Sequence, residues 1–286
     1  MNDAVLVTGA DGFIGTHLVK ALRAVGHVVF THSTRQGNIV NCNLNFESVG
    51  HVFHLAARTF VPDSWSASLS FYEVNLLGTV NVLEFCRSCG ASLTLMSSYV
   101  YGRPARLPIS EDEPLQAFNP YSHTKILAEE TSRYYQRQFR VPVTIIRPFN
   151  IYGPGQDRRF LIPTILVQAI NPQAAAIVVV DLRPRRDYIF ISDLTDLLVS
   201  TAFRREGGTF NAGSGSSWGV DEVIAIVNQL LPVPKAVRSQ GRLRPDEVFD
   251  VVADISRARH EFGWESLVTF PDGLRETLTW IRGAGV

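Results

Sequence analysis

Val7-Thr8-Gly9-Ala10-Asp11-Gly12-Phe13-Ile14-Gly15 decides how this chain folds. The aliphatic run Ala4-Val5-Leu6-Val7 leads into it, and an apolar-periodic stretch from Phe13 to about Val25, stopped by Gly26, leads out. Val28-Val29-Phe30 then reads as a second strand. Strand, Gly-rich turn, helix and strand in that order open a parallel sheet. Each glycine has a task. Gly9 makes the tight turn, Gly12 lets backbone approach a pyrophosphate, and Gly15 lets helix and strand pack closely. The helix opening at Phe13 and Ile14 offers N–H groups and the positive end of its dipole to phosphates. Dinucleotide binding is expected, with Gly9, Gly12, Phe13, Ile14 and Gly15 in contact.

Working outward, Val52–Leu55, Leu93–Met96 and Val143–Arg147 read as buried strands, with helices at about 75–88 and 121–139. The alternation predicts an α/β fold, a Rossmann-type doubly wound parallel sheet. Polar, Asn-rich sequence between Phe30 and Val52 predicts one shortened crossover. Beyond Gly153, Pro154, Pro163, Pro172 and Pro184 separate shorter elements and suggest a smaller mixed α/β region. Tyr188–Ile191 should be a strand leading into a helix capped by Ser192 or Asp193, and Thr209–Asn211 should return to the first sheet. A further strand is expected near Val248–Val252. The division expected is 1–152 with about 186–212 for the dinucleotide, and about 153–185 with 213–286 for the substrate.

Twenty-seven basic residues balance twenty-seven acidic ones, so no overall positive field gathers nucleic acid. No apolar run approaches the roughly 20 residues of a membrane helix, and the first residues lack a signal-peptide pattern. A cytoplasmic protein with no membrane partner is expected. Cys86 and Cys89 spell C-x-x-C at the end of a helix stopped by Gly90. Zinc would need a second ligand pair, so reduced structural thiols and no metal are expected.

The second strand of such a fold normally ends in an acid that holds the adenosine ribose of NAD. Here no Asp or Glu occurs between Asp11 and Glu47, and the segment reads Thr31-His32-Ser33-Thr34-Arg35. Ser33 and Arg35 suit a 2′-phosphate, so NADP is expected ahead of NAD. Downstream, Asn119-Pro120 precedes Tyr121-Ser122-His123-Thr124-Lys125 as a plausible helix cap and first turn. Residues four apart share a helix face, so the Lys125 ammonium should lower the pKa of the Tyr121 phenol and let it exchange a proton with a substrate oxygen. Leu95-Met96-Ser97-Ser98-Tyr99-Val100-Tyr101-Gly102 lies where a strand should end at the carboxyl edge of the sheet, and its hydroxyls can bond the same oxygen.

With these residues the chain resembles the extended short-chain dehydrogenase/reductases, the nucleotide-sugar epimerase/dehydratase family, over essentially its whole length. The matching motifs are Thr8-Gly9-x-x-Gly12-x-x-Gly15, His54-Leu55-Ala56-Ala57, Asn75-x-x-Gly78-Thr79, Ser97-Ser98-x-Val100-Tyr101-Gly102, Tyr121-x-x-x-Lys125 and Arg147-Pro148-Phe149-Asn150-Ile151-Tyr152-Gly153-Pro154-Gly155. Arg186-Asp187-Tyr188-Ile189-Phe190, Phe210-Asn211-Ala212-Gly213, Arg244-Pro245-Asp246 and Phe262-Gly263-Trp264 follow. The resemblance implies Ser97 as the catalytic hydroxyl, with Ser98 the competitor and a candidate substrate contact. It implies Lys125 on the nicotinamide ribose, Leu55, Ala56, Ala57 and Pro148 along the cofactor cleft, and Asn43 and Leu44 near adenine. Asn150, Arg186 and Arg244 resemble residues that meet the diphosphate of a nucleoside-diphosphate sugar. Family dehydratases carry Asp-Glu directly after the catalytic hydroxyl, whereas this chain has Ser98-Tyr99, which argues against elimination. The expectation is a reductase of a 4-keto-6-deoxy nucleotide sugar, with an NAD-dependent 4-epimerase as the alternative and a non-catalytic redox sensor as a remote one. The resemblance also implies a homodimer, since helices matching those near 75–88 and 121–139 form the dimer interface in the family.

Overall fold

The computed structural model describes residues 4–242 and 247–284. The main sheet takes β1 (Ala4–Thr8), β2 (Val28–His32), β3 (Val49–His54), β4 (Ser92–Met96) and β5 (Val143–Pro148), with helices α1 (Phe13–Ala24), α2 (Val61–Ser66), α3 (Ser68–Tyr72), α4 (Gly78–Cys89) and α5 (Pro120–Phe139) between them. A π-helical turn, Glu73–Leu77, joins α3 to α4. After these come β6 (Asn150–Tyr152), α6 (Leu161–Ile170), β7 (Ala176–Val179), β8 (Arg185–Phe190), α7 (Ile191–Ser200) and β9 (Gly208–Ala212). The remainder is β10 (Ser217–Gly219), α8 (Val220–Gln229), β11 (Ala236–Ser239), α9 (Ser256–Phe262) and α10 (Phe270–Gly283).

Six parallel strands line up as β2-β1-β3-β4-β5-β9. From β1 the chain moves one way to β2 and then the other way to β3, so the crevice at the carboxyl ends of β1 and β3 is the topological switch point where such sheets bind ligands. Alternate residues feed two cores. Val5, Val7 and Phe53 pack with Leu18, Leu22, Leu194 and Leu198 of α1 and α7, whereas Leu6, Val52, Leu93 and Ile145 pack with Val82, Leu83 and Ala128 of α4 and α5. Being covered on both faces explains the nearly unbroken apolar runs of these strands.

The crossover between β2 and β3 has no helix. Its apolar side chains Ile39 and Leu44 cover the sheet beside α4, and Asn81 of α4 donates to the carbonyls of Ile39 and Cys42. Beyond β5 the chain leaves the sheet: β6, β8 and β10 form a separate three-stranded sheet, and β7 and β11 pair with each other. Thus Asn150–Tyr152 and Arg186–Phe190, expected with the dinucleotide fold, belong to the second sheet. Around it Ile165, Leu166, Val223, Leu274 and Leu278 of α6, α8 and α10 form a third core.

Two local expectations are corrected. No strand forms at Val248–Val252, because that segment bonds to the Ile109 loop, with one bridge between Ile109 and Ala253, instead of entering a ladder. Helix α7 starts at Ile191 without a side-chain cap, because the Asp193 carboxylate accepts from Ser266 Oγ (2.6 Å) and the Val268 N–H (3.1 Å). Cys86 is buried in the α4 core, and no helix among the described residues is long and apolar enough to cross a membrane.

Candidate active site

The Gly-rich turn is shaped by backbone proximity. Gly9 has φ +70°, and a Cβ there would lie 2.7 Å from the Ala56 nitrogen, across the switch point. At Gly15 a Cβ would fall 2.2 Å from the Gly9 carbonyl oxygen. Gly12 precedes the first residue of α1 in extended conformation, and no side chain caps the helix. Glycines at 9 and 15 thus let the turn press against β3 and against itself, which sets the start of a three-turn helix at the switch point, and an uncapped helix start there fits a pyrophosphate. Phe13 and Ile14 open α1, and half-buried Leu55, Ala56 and Ala57 leave β3 beside it.

Below this crevice a neutral relay ties β1, β3, α4 and α5 together. His54 is buried and shares hydrogen bonds with Thr8 Oγ1 (2.7 Å) and Thr79 Oγ1 (3.1 Å). Burial, and next the Lys125 charge, push its pKa down to about 3, so it carries no charge near neutrality. Thr79 donates to the Asn75 carbonyl. The Asn75 amide accepts from the Arg58 N–H (2.8 Å) and donates to Thr124 Oγ1 (3.0 Å), fixing the chain after Ala57 against α5.

That helix starts as its residues require. The Asn119 side chain accepts from the Ser122 N–H at 2.8 Å, and Pro120 occupies the first turn. Lys125, Ala128, Glu129 and Ser132 form its buried face. Tyr121 is half-buried with its ring edge-on to Phe71. Burial raises its pKa and a hydrogen bond with Ser98 opposes the rise, so the lowering expected from Lys125 is not what this environment produces. Lys125 is 5% exposed, and burial lowers its pKa to about 8 against the opposing pull of Glu129.

The two adjacent serines have different partners. Ser97 Oγ is buried and donates to Glu129 Oε1 at 2.5 Å, whereas Ser98 is the hydroxyl beside Tyr121. Glu129 also takes Arg147 through Nε at 2.9 Å and the terminal nitrogen at 2.7 Å, and Arg133 at 2.8 Å. Arg147 continues to Tyr101 Oη (3.0 Å), which donates to Asn211 Oδ1. The Asn211 N–H in turn donates to Glu111. Sequence reasoning missed this buried network; the signal was Glu129, four residues beyond Lys125 on the same face.

Other candidates are placed less directly. Leu44 packs in the core beside α4, and Asn43 is exposed. Ser33 and Arg35 both meet Asp11, and the Arg35 side chain is 83% exposed. Pro148 ends β5 and is buried. The Asn150 amide donates to the Asp187 carbonyl. Arg186 pairs with Glu247 and donates to the Val248 carbonyl at 2.7 Å. Arg244 lies outside the described residues.

A family model described as the NAD dependent epimerase/dehydratase family matches residues 5–213. A UDP-glucose 4-epimerase of Mycolicibacterium smegmatis is 29% identical, over 97% of this chain and 98% of its own. A GDP-6-deoxy-D-mannose reductase of Pseudomonas aeruginosa is also 29% identical, over 98% and 97%. Among solved structures, MoeE5 in complex with UDP-glucose and NAD superposes with a TM-score of 0.88 at 28% identity, over 98% of this chain and 99% of that one. With the glycine cradle at the switch point and Tyr121 and Lys125 on one helix, the match establishes that this chain is an enzyme of the NAD dependent epimerase/dehydratase family.

Proposed function

We propose that the enzyme interconverts a hydroxyl and a ketone at a sugar carbon, C4, of a nucleoside-diphosphate sugar, and that it does so as a 4-epimerase. The carrying observation is that Tyr121 and Lys125 stand four residues apart on α5, which the chain of hydrogen bonds through Thr8, His54, Thr79, Asn75 and Thr124 ties to the end of β1, where the Gly-rich turn begins. A bound nicotinamide dinucleotide would supply and accept hydride. Gly9, Gly12 and Gly15 would hold its pyrophosphate, and Lys125 its nicotinamide ribose. Tyr121 Oη takes the proton from the substrate hydroxyl and returns it, while Ser98 Oγ orients the oxygen. Lys125, its pKa lowered by burial to about 8, still carries positive charge at neutral pH, and the Ser98 hydrogen bond is what opposes the rise in the Tyr121 pKa. Elimination is disfavoured, since Ser98-Tyr99 offers no carboxylate and the Tyr99 hydroxyl donates to the Gly102 carbonyl at 2.6 Å.

The sugar nucleotide would span toward Asn150 and Arg186. A cleft of about 710 Å³ lined by Arg103, Arg106, Leu107, Glu247 and Phe249 adjoins that end. Reduction of a 4-keto-6-deoxy nucleotide sugar with exchangeable NADPH is the second reading, favoured by the acid-free end of β2. Epimerisation stands first because Arg35 is already paired with Asp11. Identifying the nucleotide that copurifies and following reduced nicotinamide during turnover separates the two. Interconversion of two C4 epimers with no net cofactor oxidation is expected; stoichiometric oxidation would install the reductase. A homodimer through α4 and α5 is proposed as well, with Leu77 and Tyr134 50% and 51% exposed there. Sedimentation should show Tyr134→Glu as a monomer.

A further inference from the structure

The end of β2 lacks the acid that selects NAD in other dinucleotide folds, yet a carboxylate stands there. His32, the last residue of β2, is 4% exposed, and among the described residues neither ring nitrogen has a hydrogen-bond partner. It contributes neither an acid nor a cation, because burial keeps the imidazole neutral. The following residues turn back sharply: the Gln36 N–H donates to the Ser33 carbonyl at 3.0 Å, and the Ser33 N–H donates to Gln36 Oε1 at 2.8 Å. This turn buries Ser33 and presents its hydroxyl to Asp11, the residue just before Gly12. Ser33 Oγ lies 2.9 Å from Asp11 Oδ2 and 2.7 Å from Gln36 Oε1, sharing its one hydrogen between them, and Arg35 Nε lies 3.1 Å from the same Asp11 oxygen. Among the described residues both contacts fall on Oδ2, and the Asp11 side chain is 49% exposed, so the carboxylate keeps an open side.

We infer that Asp11, reaching across from the Gly-rich turn, supplies the acid that receives the adenosine ribose hydroxyls, with Ser33 and Arg35 fixing it, so that the site selects NAD over NADP. The inference rests on the reading of Gly9–Gly15 as the dinucleotide cradle. A carboxylate accepts from ribose hydroxyls but repels a 2′-phosphate, which carries close to two negative charges. Arg35 does not reverse the balance. Its charge is half-spent on Asp11, and at 83% exposure its attraction for a phosphate is screened by water and salt. The acid therefore sits on the first connection of the fold instead of the second strand, which explains how β2 can end in Thr31-His32-Ser33.

The test is equilibrium binding of NAD and of NADP to the full chain freed of nucleotide, followed by protein fluorescence. Wild type should bind NAD at least about ten-fold more tightly. Asp11→Asn removes the charge at constant size and should cost NAD roughly ten-fold, the scale of one charge-assisted hydrogen bond, without weakening NADP. Ser33→Ala, which frees the carboxylate to move, should weaken NAD by a smaller factor in the same direction. A wild-type preference for NADP, or an Asp11→Asn ratio within two-fold of wild type, overturns the inference. If neither nucleotide binds wild type, the cradle reading itself fails and takes the inference with it; binding of both with no discrimination removes only the role of Asp11.

Discussion

Ser97 and Ser98 leave β4 with hydroxyls pointing to different partners, Ser97 into the Glu129 carboxylate and Ser98 toward Tyr121. Ser98→Ala should lower kcat about 10²-fold, the scale of one lost donor at a reacting oxygen, with little change in melting temperature. Ser97→Ala should do the reverse, costing about 1–3 kcal/mol by removing a donor from a buried carboxylate while kcat stays within a few-fold. Steady-state kinetics and denaturant unfolding of both variants decide; a kcat defect confined to Ser97→Ala would restore Ser97 as the catalytic hydroxyl. Glu129 gives a pH prediction. Although burial alone raises its pKa, Arg147, Ser97 and Arg133 together leave it below the ordinary 4.5. Its folded pKa is thus lower than its unfolded one. The stabilisation is fully present above about 4.5 and is lost as pH falls through the folded value. Unfolding free energy followed from pH 7 downward should show a steeper loss below about 4.5 in wild type than in Glu129→Gln. Parallel curves would remove Glu129 from the acid response.

At the scale of elements, the turn from β1 into α1 is the most constrained contact in the site. The Gly15 position faces the Gly9 carbonyl oxygen 2.2 Å from where a Cβ would stand, so Gly15→Ala must push α1 away from β1. We expect a loss of about 1–3 kcal/mol from overpacking, and dinucleotide affinity reduced beyond detection because the helix N-terminus no longer aims at the crevice. Calorimetry with NAD reads both; near-normal binding by this variant would refute the cradle. By contrast α5 is legible almost residue by residue. Asn119, Pro120 and the four-residue spacing of Tyr121 and Lys125 follow from local helix geometry, which sequence encodes directly.

For the molecule as a whole, Asp187 binds the segments that follow the two sheets. Buried in β8, its carboxylate accepts from the Ser214 N–H (2.7 Å) and hydroxyl (2.8 Å), the Gly215 N–H (3.0 Å) and the Ala253 N–H (2.9 Å). Asp187→Asn keeps one acceptor oxygen and strands at least one of these donors. It should cost about 1–3 kcal/mol and loosen 213–215 and 253 together, which hydrogen exchange of those amides would report. Unchanged protection there would show the segments are held otherwise.

By itself the sequence determined the parallel sheet, the turn at Gly9–Gly15, the catalytic helix and the return of Thr209–Asn211 to the sheet, because each rests on periodicity, glycine conformation or i to i+4 spacing within a short stretch. It did not determine which of two adjacent serines meets Tyr121, since a strand end can twist either hydroxyl inward. Only tertiary structure put Glu129 against Ser97 and Arg147, turned Leu44 into core, drew Asn150–Tyr152 and Arg185–Phe190 into a second sheet, and brought Asp11 beside Ser33 and Arg35. Those choices depend on partners 18 residues or more away in the chain, and burial, which alone makes a hydroxyl or a carboxylate seek one particular partner, exists only once the sheets have packed.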